Sequence, residues 1–277
     1  MIDKIIVPVD FSEYSKNALQ SAATLAKVYN AEILVLHMLE LPSSLINTVD
    51  SLGGPETLYF LKLAEKRFEE FLDEPYLESL TVTPIVKHFK VFSEISEVAE
   101  NEGANLIVMG SHGASGISEF LIGSNTEKVV RHSKVPVLIV KDKPVTNKFD
   151  TAVFVSDFSE EGITAYRKIE DMFYNVSNLI SLYVNLPNDL FMSSNEIEEK
   201  ASLFFEKADG ASKARANFHM INDYSIEKGV FNFSEKQKVD LIVIPTHGRK
   251  GIAHFFEGSV SEDIANHASV PVMTFKI

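Results

Sequence analysis

The chain of 277 residues contains no cysteine. It therefore has no disulfide framework, no thiolate zinc site and no cysteine nucleophile, and this composition favours a reducing environment. The eight histidines follow neither the H-x3-H nor the H-E-x-x-H spacing of zinc ligands. The sequence also lacks a Walker A motif, a G-x-G-x-x-G fingerprint and a G-x-S-x-G nucleophile elbow. P-loop, dinucleotide-binding and α/β-hydrolase sites are thus unsupported.

Long apolar stretches and basic clusters are missing as well. No segment approaches the roughly 18 uninterrupted apolar residues of a membrane-spanning helix, and the first residues, MIDKIIVPVDFSE, do not resemble a secretory signal. The formal net charge is −13, with no long run of Lys or Arg, so the average surface repels polyanions. We expect a soluble, cytoplasmic protein that binds neither membranes nor nucleic acid.

An internal repeat is the most informative feature that is present. Residues 105–110, NLIVMG, and residues 240–245, DLIVIP, begin two similar segments that align without a gap as far as the VPV sequences at 135–137 and 270–272. The sequences KIIVPVDFSE at 4–13 and TAVFVSDFSE at 151–160 correspond too. The copies meet in the polar segment KDKPVTNK at 141–148. We predict two domains, residues 1–143 and 148–277.

Strands alternate with helices in the first copy. Apolar runs of strand length are interpreted as buried parallel strands, and Ser12 is a suitable N-cap for the first helix. The amphipathic segment LKLAEKRFEEFLDE is interpreted as a helix whose aromatic and apolar residues pack on the sheet. The predicted strands are 4–9, 32–37, 81–89, 105–109 and 135–140. The fold class is therefore α/β, with two tandem doubly wound, parallel, five-stranded sheets and helices on both faces.

A glycine motif follows the fourth predicted strand. Asp10 ends the first strand and Gly110 ends the fourth, so both lie at the carboxyl edge of the sheet, where such folds bind ligands. Gly113 follows Gly110, and after nine residues Gly123 and Ser124 open a helix. Glycine permits close approach of a ligand to the backbone, and the free N–H groups of a helix N-terminus favour phosphate oxygens. This spacing, G-x2-G-x9-G-S, indicates a phosphate-containing ligand.

The motif, the V-D-F-S start and the V-P-V closing strand together resemble the ATP-binding branch of the universal stress protein family, over essentially the whole chain. The resemblance implies the universal stress protein fold, which is like that of the adenine nucleotide alpha hydrolases. It also implies ATP, ADP or AMP as ligand, with Mg²⁺. The site residues it implies are Asp10 and the backbone of Met38 at the ribose or adenine, Gly110 and Gly113 along the ribose and phosphates, and Gly123, Ser124 and Asn125 at the phosphates.

The second copy departs from the motif. Pro245 stands where Gly110 stands in the first copy, while Asp157, Gly248, Gly258 and Ser259 remain as a possible second site. Proline removes a backbone donor and adds a ring. Three interpretations stay open for this copy: ATP in a shifted pose, another phosphate compound, or a purely structural role.

Taken with the resemblance, the sequence favours a regulatory ATP-binding module in stress response that is not an enzyme. The resemblance implies that the two domains pair through their last strands, Val135–Val140 and Val270–Phe275, as an intramolecular pseudo-dimer, and two chains could pair again as a homodimer. The equivalent loop histidines His112 and His247 are assigned no catalytic role. The alternatives are a slow ATP hydrolase or phosphotransferase using the same crevice, and a nucleotide-free interaction scaffold.

Overall fold

The computed structural model describes residues 2–39, 55–88, 94–113, 123–187, 191–209, 217–246 and 258–276. Within these ranges the chain forms two compact units, one ending at Asn147 and the other beginning at Lys148. Each unit is an α/β domain with its own parallel sheet.

The first domain alternates strands and helices in chain order. Its elements are β1 (Lys4–Val9), α1 (Glu13–Tyr29), β2 (Glu32–Leu39), α2 (Pro55–Leu72), a short 3₁₀ turn (Pro75–Leu77), β3 (Val82–His88), α3 (Ile95–Asn101), β4 (Leu106–Gly110), α4 (Ser124–His132) and β5 (Val137–Val140).

The strands of the first domain lie in the order β3-β2-β1-β4-β5, and all of them pair in parallel. The order reverses at β1, where the chain first builds the sheet towards β3 and then returns to build it towards β5. A reversal with right-handed crossovers places helices on both faces and opens a crevice beyond the carboxyl ends of β1 and β4. Residues 5–9 of β1 are all buried, as a central strand between two helical layers requires.

The turn after β1 is fixed by local hydrogen bonds. Ser12 caps α1, since its hydroxyl accepts a bond from the backbone N–H of Ser15 at 3.3 Å, as predicted. Between β1 and this cap, Phe11 adopts a left-handed conformation with φ of 64°. An aromatic residue in this region carries a conformational cost of about 1–2 kcal/mol, so the surrounding contacts must hold it there.

The second domain repeats this arrangement. Its elements are β6 (Thr151–Val155), α5 (Gly162–Met172), β7 (Asn178–Asn185), α6 (Ser194–Asp209), β8 (Phe218–Asn222), α7 (Ile226–Gln237), β9 (Leu241–Thr246), α8 (Gly258–His267) and β10 (Val272–Lys276). The strand order is β8-β7-β6-β9-β10, again all parallel. The predicted fold class is thus confirmed for both copies.

Element bounds differ from the sequence prediction by a few residues. The last strands are shorter at their start than predicted, beginning at Val137 and Val272, because a proline precedes each and has no N–H for the ladder. Helix α4 begins at Ser124, directly after Gly123, as the motif predicted. In the described part of the chain, no helix has both the length and the apolarity to cross a membrane.

The segment that follows β5 belongs structurally to the first domain. The backbone of Val145 bonds with two side chains of α1: its N–H donates to Ser21 Oγ at 2.9 Å and its carbonyl accepts from Thr24 Oγ1 at 2.8 Å. Asn17 donates to the carbonyl of Asp142 at 2.9 Å. These bonds fix the segment along α1 as far as Val145.

Candidate functional site

A cavity of about 520 Å³ lies at the carboxyl edge of the first sheet. This volume is within the range of small-molecule sites. All seven residues that the sequence proposed for the first site line it: Asp10, Met38, Gly110, Gly113, Gly123, Ser124 and Asn125. The structure therefore brings together residues from the ends of β1, β2 and β4 and from the start of α4.

Asp10 is the only carboxylate among the described residues that line this cavity. Its Oδ1 accepts bonds from the Ser12 N–H at 3.0 Å, the Ser12 hydroxyl at 2.6 Å and the Ser15 hydroxyl at 3.0 Å. Its Oδ2 is on the side of Gly113, where an added Cβ would lie only 2.7 Å away. The carboxylate is thus oriented by the turn that caps α1 and contacts the glycine loop directly.

The three glycines of the motif differ in how strictly the structure requires glycine at their positions. A Cβ on Gly110 would lie 2.8 Å from the backbone oxygen of Tyr14, so this glycine lets β4 and α1 approach each other. A Cβ on Gly113 would displace the Asp10 carboxylate. A Cβ on Gly123 would meet nothing closer than 3.5 Å, and its φ is −56°, so neither packing nor conformation requires glycine there.

The N-terminus of α4 faces the cavity without a capping side chain. Its N-cap is Gly123, which has no side chain to accept a hydrogen bond from the first turn. The N–H of Gly123 itself donates to the carbonyl of Ser111 at 2.8 Å and is used to close the loop. The first helical residues, Ser124, Asn125 and Thr126, carry the N–H groups that a helix leaves unsatisfied and that attract anions.

His37 supports the base of the cavity from strand β2. Its Nδ1 lies 2.9 Å from the carbonyl oxygen of Val9, so Nδ1 carries the proton and Nε2 is the acceptor. Burial lowers the pKa of His37 from its ordinary value, and the positive charge of Arg67 lowers it further. The ring packs 4.6 Å from that of Phe11, which also contacts the rings of Phe68 and Phe71. These contacts hold the left-handed Phe11.

Helix α2 forms a wall of the cavity that the sequence analysis did not assign to the site. Phe60, Leu63, Ala64 and Arg67 line the cavity at i, i+3, i+4 and i+7, one face of the helix. The apolar stripe was expected to pack on the sheet only. Ala64 is indeed buried, but Leu63 in the cavity wall is 37% exposed. The helical spacing was the available signal, and it did not distinguish a sheet contact from a ligand contact.

His112 packs beside the site. Its Nδ1 lies 3.0 Å from the hydroxyl of Ser111, and its ring lies 5.1 Å from that of Tyr14. The local hydrogen bond agrees with the expectation of a loop histidine. Its buried Nε2 has no hydrogen-bond partner among the described residues.

The second copy has lost several of these contacts. Oδ1 of Asp157 accepts the Ser159 N–H at 3.0 Å, like its counterpart, but Gly162 stands in place of Ser15 and supplies no hydroxyl. Helix α5 begins at Gly162, two positions later than α1 in the aligned repeat. Gly248 lies outside the described residues, and Gly258 and Ser259 are described only as the start of α8. The grouping of the four candidate residues into a second site therefore stays a prediction.

The end of β7 is covered by the chain that follows it. Tyr183 and Asn185 occupy the positions of His37 and Leu39 in the repeat. The Asn185 side chain donates to the carbonyl of Met192 at 3.0 Å and accepts from its N–H at 3.2 Å. Tyr183 is 2% exposed, and burial, then the charge of Asp157, raises the pKa of its phenol. At positions where the first domain has residues that line the cavity, the second domain has side chains that are buried or hydrogen-bonded within the domain itself.

These features define a tandem α/β protein with a cavity at the switch point of its first sheet. The model of the universal stress protein family matches residues 1–141 and 148–276, so the chain belongs to the universal stress protein family, with two domains in tandem.

Individual relatives agree with this assignment. Universal stress protein MJ0577 of Methanocaldococcus jannaschii is 32% identical over 159 residues, covering 52% of this chain and 97% of that protein. A universal stress protein of Mycolicibacterium smegmatis is 20% identical over 287 residues, covering 98% of this chain and 96% of that protein. Among solved structures, a universal stress protein from Archaeoglobus fulgidus has a TM-score of 0.70 at 25% identity, covering 99% of this chain and 96% of that chain.

Proposed function

We propose that the first domain binds ATP, or its relatives ADP and AMP, together with Mg²⁺, and that the protein acts in stress response through this binding rather than through turnover. The cavity that gathers all seven motif residues carries the proposal. The uncapped N-terminus of α4 suits the phosphates, and the oriented Asp10 carboxylate suits a ribose hydroxyl or the adenine amino group.

The chemistry of the lining favours binding over catalysis. Phosphoryl transfer requires cations on the transferred group and a residue that orients the nucleophile. Asp10 is the single carboxylate in the described lining, and its Oδ1 is engaged by two serines of the capping turn. Mg²⁺ usually reaches such sites on the nucleotide phosphates with one or two carboxylates and several waters.

Titration calorimetry with ATP and Mg²⁺ tests the proposal. We expect one ATP per chain, and we expect Gly123→Leu to abolish binding while the circular dichroism spectrum stays unchanged, since a side chain at this position is sterically permitted. The matched control is Gly258→Leu at the equivalent position of the second domain, which should bind normally. Absence of binding at millimolar ATP would favour the nucleotide-free scaffold instead.

The rival proposal of a slow ATP hydrolase or phosphotransferase has its own test. Release of phosphate is followed with and without Mg²⁺ in the full chain and in Asp10→Ala. Turnover that depends on Mg²⁺ and disappears in the variant would make the protein an enzyme. Turnover at the level of the buffer supports a binding module.

We further propose that the two domains associate as a pseudo-dimer through their last strands. Within its own domain, β5 pairs with β4 and β10 pairs with β9, and both strands are mostly apolar, with the sequences VLIV and VMTFK. An unpaired apolar edge invites aggregation, so mutual pairing would protect both. The linker keeps their effective concentration high.

A protease site inserted between Thr146 and Asn147, beyond the bonds that fix Val145 to α1, tests this association. After complete cleavage, the two halves should still elute together in size exclusion. Elution as separate domains would refute the pseudo-dimer, and elution of the uncut protein at twice the mass of the chain would support an additional homodimer.

A further inference from the structure

The lining of the first cavity contains a single Lys or Arg among the described residues, and that residue is Arg67 on helix α2. No side chain of the glycine motif carries a full positive charge, and the single carboxylate in the described lining is the anionic Asp10. The chain as a whole has a net charge of −13. A nucleotide polyphosphate therefore enters a site whose surroundings oppose it, and a lone cation there has a large effect.

The guanidinium of Arg67 is held by a contact with an aromatic ring. It lies 5.7 Å from the centre of the Phe11 ring, within cation–π distance. Phe11 is in turn held by His37, Phe68 and Phe71. Asp10, which precedes Phe11 in the chain, contacts Gly113 of the glycine loop. Arg67 thus lines the cavity beside the turn that follows β1.

The charge of Arg67 is also not neutralised by the rest of the described chain. Lys16 pairs with Glu74 and Lys66 approaches Glu70, whereas Arg67 makes no ion pair with any described carboxylate. A neighbouring groove of about 540 Å³ shares Asp10 and Arg67 with the first cavity. Arg67 therefore lines both the cavity and the groove.

We propose that Arg67 is the cation that pairs with the phosphates of the bound nucleotide, held ready for them by its contact with Phe11. This inference rests on the proposed nucleotide function and adds a specificity-determining residue from outside the glycine motif. An arginine fork matches phosphate oxygens in a bidentate manner. Affinity should then rise with the number of phosphates, because only the phosphates contact the guanidinium.

Calorimetric titration of ATP, ADP and adenosine into the full chain and into Arg67→Ala tests this role. Loss of a charged hydrogen-bond pair should weaken ATP binding about 10-fold to 100-fold, weaken ADP less, and leave adenosine within about twofold. Arg67→Lys keeps the charge but not the fork, so it should recover part of the ATP affinity. The dependence of ATP affinity on salt should become weaker in Arg67→Ala.

Lys66→Ala is the matched control. It removes one positive charge from the adjacent position of the same helix, is 73% exposed and does not line the cavity. Equal ATP affinity in Arg67→Ala and Lys66→Ala, with the wild-type chain binding ATP, would overturn the role of Arg67 alone. Equal losses for ATP and adenosine would also overturn it, since the contact would then be with the base or ribose. A wild-type chain that binds no nucleotide overturns the proposed function itself.

Discussion

Gly110→Ala should destabilise the first domain much more than Gly123→Ala, although both glycines belong to the same motif. The added Cβ at Gly110 would lie 2.8 Å from the backbone oxygen of Tyr14 and 2.9 Å from its carbonyl carbon and its Cβ. Backbone atoms in the first turn of a capped helix cannot move aside as the end of a side chain can. Overpacking of this kind costs about 1–3 kcal/mol. At Gly123 the nearest atom is 3.5 Å away, an ordinary contact, so the cost should stay within about 0.5 kcal/mol.

Hydrogen exchange measured by mass spectrometry is the suitable assay, because it reports each domain separately and requires no two-state unfolding of the whole chain. In Gly110→Ala, the opening free energy of amides in β1 and β4 should fall by about 1–3 kcal/mol, while amides in β6 and β9 provide the internal control. Gly123→Ala should leave β1 and β4 unchanged. If the two variants lose equal protection in β1 and β4, the packing argument for Gly110 is wrong.

The remaining predictions concern the turn, the histidine and the second domain. Ser12→Ala should destabilise the first domain by about 1 kcal/mol, and Ser225→Ala, which removes the cap of α7, should destabilise the second domain to a similar extent. Only Ser12→Ala should also weaken ATP binding, because only Ser12 holds a carboxylate of the site, that of Asp10. The half-buried His37 has a lowered pKa in the folded state, so its protonation favours unfolding: thermal stability should fall as pH drops below about 6.5, and less steeply in His37→Gln. Asn185→Ala should speed amide exchange at Met192 and leave the ATP stoichiometry at one per chain; a second ATP in this variant would mean that Asn185 blocks an otherwise intact site.

The fold was predictable from the sequence because its signals are local and repeated. Apolar runs that end at Asp10 and Gly110 placed both residues at one sheet edge, and the structure confirms that they line one cavity. The cap at Ser12 was predictable because capping involves residues three positions apart. A parallel order with a reversal at β1 follows from alternating strands and helices together with crossover handedness.

Two features of the site could not be read from the sequence, because each depends on packing between distant segments. Gly110 was assigned to the ligand path, and it does line the cavity, but its close approach to Tyr14 shows a second requirement that comes from helix packing. Arg67 lies far along the chain from both Asp10 and the glycine motif, in a helix whose pattern predicted only burial. Its place in the lining follows from the packing of α2 beside β2.

The left-handed phenylalanine after the first strand occurs in both domains, with φ of 64° at Phe11 and 54° at Phe158. In the second domain Phe158 packs against Tyr183, Phe204, Phe205 and Phe218, a larger aromatic cluster than that around Phe11. The bend is present in both copies of the repeat, although Gly162 and Pro245 stand where the first copy has Ser15 and Gly110. The bend therefore belongs to the framework that the two domains share, whereas residues around the first cavity differ between the copies.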